Sequence, residues 1–280
     1  LSFTFLIGCG TALNNPSWQA TVGDLVSKAE LPAAVSVNSI GFNMMRSVGP
    51  AAGGAIVAFF GAAAAFAVNA ASYIAIIAAL FAWKPKPKVS ALPREHFGSA
   101  FAAGLRYVAM SPNLVRTIIR AFLFGLSAIA LQALLPIIVR DSLNGTSLTY
   151  GILLGAFGVG AVFGAMASRQ LRSRFENEAV IRIGFGGYAL CYVLLTLSPH
   201  IALAGGVLFI AGACWVLTLS LLNTTVQLST PRWVVGRVLA LYQTGTFGGM
   251  AAGSWLWGAV AEEGGMTMAL LGAGIAIGGG

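Results

Sequence analysis

Nine long, continuously apolar runs divide the sequence, and most of them are long enough to cross a lipid bilayer. A membrane-spanning helix needs about 20 mostly apolar residues. The strands of a membrane β-barrel would instead alternate apolar and polar residues over about ten positions. The sequence therefore predicts an all-α polytopic membrane protein. The runs occupy residues 1–22, 35–59, 61–83, 115–139, 150–168, 180–197, 201–227, 238–260 and 265–280.

The composition excludes a soluble protein of this size. Hydrophobic residues make up 58% of the 280 residues and charged residues only 9%, whereas a soluble domain carries roughly a quarter charged residues. The net charge of +8 would suggest nucleic acid in a soluble protein. In a membrane protein the same excess follows from basic residues in cytoplasmic loops. We therefore expect the lipid bilayer as a partner and no nucleic acid.

The basic residues fall on one side of this predicted topology. When every second loop is taken, fifteen of the sixteen Lys and Arg residues lie in or just beyond the loops near 23–34, 84–114, 169–179 and 228–237. Only Arg140 belongs to the other set. Because cytoplasmic loops are enriched in Lys and Arg, the first set is predicted to be cytoplasmic.

The longest loop divides the chain into three predicted parts. We expect residues 1–83 to belong to an N-terminal half, 84–114 to form a central cytoplasmic linker, and 115–280 to form a C-terminal half. Within the linker, apolar residues recur at helical spacing over Phe97–Met110. This pattern predicts a short amphipathic helix, either at the membrane surface or as an ordinary soluble linker.

Glycine pairs four residues apart recur in the predicted spans, as in Gly160/Gly164 and Gly249/Gly253. Small residues at this spacing let two helix backbones approach closely inside a membrane. They serve static packing, or they provide smooth faces for helices that slide during a transport cycle. The spacing does not separate these two uses.

Two motifs resemble those of the major facilitator superfamily. Residues 49–54 read Gly-Pro-Ala-Ala-Gly-Gly and resemble the GPxxGG motif in the fifth helix of its drug–proton antiporters. The motif positions are Gly49, Pro50, Gly53 and Gly54. Residues 164–169 and the arginines that follow resemble the superfamily's GxLADRxxRR loop, with Ser168 in place of the acidic residue.

Further stretches are similar to the transmembrane secretion effectors, the enterobactin-exporter-like group of that superfamily. They are residues 14–26, 104–108 and 236–238. The resemblance implies a bundle of two six-helix halves, in which this chain covers helices 4 to 12 and helices 1 to 3 are absent. It also implies a monomeric exporter in the cytoplasmic (inner) membrane of a bacterium.

The resemblance implies a secondary active transporter that works by alternating access, as such bundles do. Its substrate would be a small organic molecule, drug-like or siderophore-like, exported in exchange for protons. A membrane assembly protein that transports nothing and a channel remain as alternatives. No acidic residue lies in the middle of a predicted span, so the proton-coupling carboxylate is expected in helices 1 to 3.

Polar residues within the spans are the candidates for a substrate pathway, because such groups are costly in lipid. Arg46 either faces the central cavity, where it would bind an anionic group, or extends to the cytoplasmic surface. Arg120 is expected to extend to that surface. The pathway candidates are Arg46, Asn43, Gln132, Asn223, Tyr242 and Gln243.

A cytoplasmic gate follows from the resemblance. In the superfamily the loop between helices 8 and 9 approaches the cytoplasmic end of helix 5. We therefore expect Asp24 to pair with Arg169 or Arg172, and Arg237 is a further gate candidate.

Catalytic and metal-binding patterns are not found in the sequence. The chain has two histidines and eight acidic residues, which lie mostly near loops. Its three cysteines lie in apolar runs without the spacing of a metal or redox site. We expect no enzyme activity, no cofactor and no metal.

Overall fold

A computed structural model describes residues 31–83, 97–197, 200–231 and 234–279. For some of these residues, most of them in the first half of the first helix, only the backbone is described. These residues form helices and no strands, which confirms the predicted all-α class. The helices are α1 (Leu31–Ala82), α2 (Phe97–Ala109), α3 (Pro112–Ile137), α4 (Ser147–Arg174), α5 (Asn177–Leu197), α6 (Ile201–Leu228), α7 (Val235–Gly264) and α8 (Met266–Gly278).

Two glycines with positive φ mark the predicted helix breaks. Gly61 interrupts α1 with φ 82° and ψ 166°, where the sequence separates two apolar runs. Gly265, with φ 83°, separates α7 from α8. Glycine adopts this conformation at little steric cost. Both turns are confirmed.

The chain forms two compact units, Leu1–Arg46 and Ser47–Gly280, and α2 to α8 all belong to the second. Within the described residues, five helical segments are long and apolar enough to cross a membrane, and Met266–Gly278 is a shorter apolar helix. The predicted run at residues 1–22 lies outside the described part. The division after residue 83 stays a prediction. The five segments are Ala63–Ala82, Pro112–Ser142, Ser147–Ser168, Asn177–Leu197 and Ile201–Leu228.

Helices α3 and α7 approach each other through glycine. A Cβ atom added at Gly249 would come closer than 3 Å to the carbonyl oxygen of Phe122. One added at Gly253 would meet the carbonyl oxygen of Leu126 in the same way. Any side chain at either position would force the backbones apart, so the predicted four-residue spacing serves close helix packing here.

Helices α4 and α6 form a second interface of the same kind. A Cβ atom at Gly160 or Gly164 would lie within 3 Å of the backbone of Phe209 or Ala213. The contact is reciprocal, because Gly212 of α6 packs against the backbone of α4. These two glycine interfaces bring α3 into direct backbone contact with α7, and α4 with α6.

Tyrosines of α5 bind the backbone of α3. The hydroxyl of Tyr188 donates to the carbonyl oxygen of Ala128 at 2.9 Å. The hydroxyl of Tyr192 donates to the carbonyl oxygen of Ser127 at 2.6 Å and accepts from the amide of Leu131 at 3.2 Å. Since Ser127 and Leu131 are normal partners in a helix, this hydroxyl is inserted into the hydrogen-bond ladder of α3.

Helix α2 lies against the start of α7. Gly104 and Val108 are buried, and a Cβ atom at Gly104 would lie 2.9 Å from Cβ of Arg237. Phe101 and Leu105 point outward and are about half exposed, at 52% and 51%. The helix is therefore docked on the bundle with apolar residues left on its outer side. Both interpretations of this linker helix, membrane-surface and soluble, stay open.

Candidate functional site

Four helix ends meet around an open cavity of about 820 Å³. Its lining includes Asn113 and Asn177, at the starts of α3 and α5, and Ser229 and Gly279, at the ends of α6 and α8. These ends therefore lie on one side of the bundle. The sequence assigns all four to the cytoplasmic side, so the packing agrees with the alternating topology drawn from the charges.

A bidentate ion pair joins α3 to α5 beside this cavity. Nη1 and Nη2 of Arg120 lie 2.7 and 2.9 Å from the carboxylate oxygens of Glu178. Nε of Arg182 lies 3.5 Å from the same carboxylate. Arg120 lies two turns into α3, and its guanidinium reaches Glu178 in the first turn of α5; that it extends to the cytoplasmic surface stays a prediction. Glu178 was missed, although its place four residues before Arg182 was a usable signal.

Arg140 lies at the opposite end of α3, in a π-helical turn, Ile138–Ser142. Its guanidinium pairs with the neighbouring Asp141, with Nε 2.6 Å from Oδ1. Both side chains are exposed. No group of three or more metal-ligating side chains occurs among the described residues.

Four predicted pathway residues have side chains that the structure describes, and three of them, Gln132, Asn223 and Tyr242, differ in their surroundings. The side-chain amide nitrogen of Gln132 is buried and finds no hydrogen-bond partner. Oδ1 of Asn223 accepts from Nε2 of Gln227 at 2.5 Å, one turn along α6. Tyr242 is 3% exposed, and its hydroxyl donates to the carbonyl oxygen of Leu219 at 3.2 Å. Gln132 is thus the one of these three with an unused buried donor.

The axial register of α3 against α7 shows how far apart the predicted pathway residues Gln132 and Gln243 lie along the helix axes. Gly249 lies beside Phe122, and Gly253 lies beside Leu126, so the two helices run parallel. Gln243 is then level with residue 116, whereas Gln132 lies sixteen residues further along, about 24 Å higher at 1.5 Å per residue. The structure does not bring these two glutamines together.

Polar side chains are exposed along the predicted cytoplasmic halves of α6 and α7. Gln243 and Thr244 are exposed on α7, and Ser220 and Gln227 are exposed on α6. Polar groups are costly against lipid, so such positions face other protein or water. Ser220 was missed, because a single serine in an apolar helix gives little signal without its exposure.

The structure describes the other predicted residues in part or not at all. Asp24 is outside the described residues. A Cβ atom at Gly53 would meet no atom within 4 Å, and Arg237 is half-buried in the first turn of α7. For the remaining members only the helical backbone is described, in α1 for Asn43, Arg46, Gly49, Pro50 and Gly54 and in α4 for Arg169 and Arg172.

The family model of the transmembrane secretion effectors matches residues 1–278. Curated relatives include the enterobactin exporter EntS of Escherichia coli O1:K1 / APEC and that of Escherichia coli O45:K1 (strain S88 / ExPEC). Each is 30% identical over 241 residues, which cover 84% of this chain and 56% of the relative. The chain therefore spans little more than half the length of these relatives.

A solved structure has the same fold. It is that of a bacterial homologue of the human lysosomal transporter Spinster, in an inward-facing and unoccupied conformation. The TM-score is 0.56 at 14% sequence identity, and the match covers 92% of this chain and 67% of that one. This likeness, together with the family match, confirms the major facilitator-type bundle. The matched family consists of transporters and not of enzymes. The chain belongs to the transmembrane secretion effector family of the major facilitator superfamily, a family of membrane transporters.

Proposed function

We propose that the intact protein exports a small organic molecule across the bacterial cytoplasmic membrane by alternating access and proton antiport. Family membership supports export, and the relatives named above are enterobactin exporters. The observation that carries the proposal is the set of exposed polar side chains on α7 and on α6, which is long and apolar enough to cross a membrane. In a two-half transporter such a face borders the central pathway.

The substrate class follows from the chemistry of that face. Ser220, Gln243 and Thr244 offer uncharged donors and acceptors, and Gln132 adds a donor nearer the outer side. Aromatic side chains of α7, such as the exposed Phe247, lie along the same helix. Uncharged polar groups beside aromatic surface suit a bulky amphiphile, drug-like or siderophore-like.

Proton coupling needs a carboxylate that this face does not supply. In the described spans the acidic residues lie at the helix ends, for example Glu178 and Glu262. Carboxylates inside the membrane are the usual proton relays of transporters. We assign the relay to helices 1 to 3 of the family's fold, and Arg46 to a counter-charge in the same pathway.

An isosteric pair of substitutions on α7 tests the pathway. Thr244 is exposed, whereas Thr246 is buried with its hydroxyl donating to the carbonyl oxygen of Tyr242 at 2.9 Å. Thr244→Val should raise the half-saturating substrate concentration about 2- to 10-fold, which corresponds to the free energy that one hydrogen bond contributes to binding. Thr246→Val is the matched control and should leave it unchanged.

The assay uses inside-out membrane vesicles that carry the intact protein. A pH difference is imposed across the vesicle membrane. Uptake of a catecholate siderophore and of a cationic dye is compared with and without a protonophore. Uptake that ignores the pH difference would contradict proton antiport. Flux that runs only down the solute gradient would support a channel, and no flux of any solute would support an assembly protein.

A further inference from the structure

The cavity between the helix ends carries a formal charge of +2. Three guanidinium groups line it, those of Arg116, Arg120 and Arg182, against the single carboxylate of Glu178. Arg120 and Arg182 both lie close to Glu178. Arg116 is exposed and pairs with no carboxylate of the described residues. The cavity therefore has unbalanced positive charge and guanidinium N–H groups able to bind an anion.

An apolar stripe continues from this charge toward the middle of the membrane. Ile119 and Leu123 line the same cavity, and they are 51% and 38% exposed. They follow Arg116 at three and seven residues along α3, so all three share one face of the helix. The helical rise places Leu123 about 10 Å from Arg116 along the axis. Charge at the helix end and exposed apolar surface above it thus form one continuous surface.

We propose that this cavity binds the headgroup of an anionic phospholipid of the cytoplasmic leaflet. The phosphate would lie against Arg116 and Arg182, and an acyl chain would cover Ile119 and Leu123. Basic pockets between spans on the cytoplasmic side bind such headgroups. A soluble phosphate would satisfy the charge but would leave the apolar stripe uncovered. This lipid site is separate from the proposed substrate pathway.

The test measures lipid binding by the purified intact transporter in neutral detergent. Its thermal midpoint is followed while short-chain phosphatidylglycerol is added, and phosphatidylcholine of the same chain length and sn-glycerol 3-phosphate are the comparison probes. We expect phosphatidylglycerol alone to raise the midpoint. Arg116→Gln should raise the half-saturating lipid concentration about fivefold, which corresponds to about 1 kcal/mol for one basic residue near an anionic surface.

Control variants separate this site from general attraction to a basic surface. Arg174→Gln removes an exposed charge from the same side, at the end of α4 and outside the cavity lining, and should change nothing. Arg116→Lys keeps the charge and should retain most of the binding. An equal loss in Arg174→Gln would overturn the proposal. So would an equal response to phosphatidylcholine, or to glycerol phosphate, which would indicate a soluble anion.

Discussion

Adjacent glycines on α7 allow the contribution of close helix packing to be measured directly. A Cβ atom at Gly249 would lie within 3 Å of the carbonyl oxygen of Phe122 and 3.1 Å from its Cα. A Cβ atom at Gly248 would meet no atom within 4 Å. Gly249→Ala and Gly248→Ala are therefore the same chemical change on neighbouring residues of one helix, and they differ only in what the new methyl group meets.

The expected difference follows from the contacts. Replacing Gly by Ala in a helix gains up to about 1 kcal/mol from backbone propensity, and both variants share this gain. Only Gly249→Ala forces α3 and α7 apart, by about 1 Å to reach ordinary contact. Overpacking of this kind costs about 1–3 kcal/mol. Gly249→Ala should thus be less stable than Gly248→Ala by about 1–3 kcal/mol.

Two buried thiols of the described residues provide the assay, in a background in which Cys9 is replaced by Ser. Cys191 and Cys214 are free and buried, so a maleimide dye reacts with them as the intact protein unfolds. A change of 1 kcal/mol shifts the midpoint by about 2–4 °C in a protein of this size. We expect the midpoint of Gly249→Ala to lie about 2–12 °C below that of Gly248→Ala.

A second pair of glycine variants on α7 tests whether the effect at Gly249 is general to the α3–α7 interface. Gly253→Ala would place a methyl group against the carbonyl oxygen of Leu126, whereas a Cβ atom at Gly258 meets no atom within 4 Å. Gly253→Ala should again be the less stable variant. Equal midpoints within both pairs would refute the inference that α3 and α7 are held by direct backbone contact.

Two charge-swap predictions concern the cytoplasmic end. Arg120→Glu and Glu178→Arg should each lower the thiol-assay midpoint, and the double swap should recover part of the loss. Because these side chains are 35% and 43% exposed, we expect a coupling of about 1 kcal/mol or less; simply additive effects would contradict a direct pair. Asp24→Arg and Arg169→Asp should each impair vesicle transport and the double swap should restore it, whereas full transport in both single variants would contradict the gate.

Local chemistry made the helix breaks and the close contacts predictable. Gly61 and Gly265 stand between apolar runs, and a residue with positive φ is where glycine has its advantage. The pair Gly249/Gly253 was recognisable because a spacing of four keeps both residues on one helix face. The helix breaks and the glycine faces depend on residues close in sequence, so the sequence alone is enough to predict them.

The partners across the bundle were not predictable in the same way. Arg120 meets Glu178 across 58 positions of sequence, and Tyr192 inserts its hydroxyl between Ser127 and Leu131 of another helix. Spans that are apolar on every side carry no amphipathic stripe to show which face meets protein and which meets lipid. The hydrophobicity pattern therefore does not predict the order of the helices around the bundle. Because that order decides which side chains meet, the long-range polar pairs could not be predicted either.

The glycine faces can now be assigned to static packing or to sliding on structural grounds. Sliding α7 along α3 would move the side chain of Met250 away from Gly125, where an added Cβ atom would lie 3.3 Å from Cγ of Met250. It would also break the bond in which Nε1 of Trp257 donates to the carbonyl oxygen of Leu126 at 2.8 Å. The packing of Met250 against Gly125 and this hydrogen bond therefore fix the axial register of the two helices. The α3–α7 interface favours static packing, so any rocking motion of this half would carry both helices together as one rigid body.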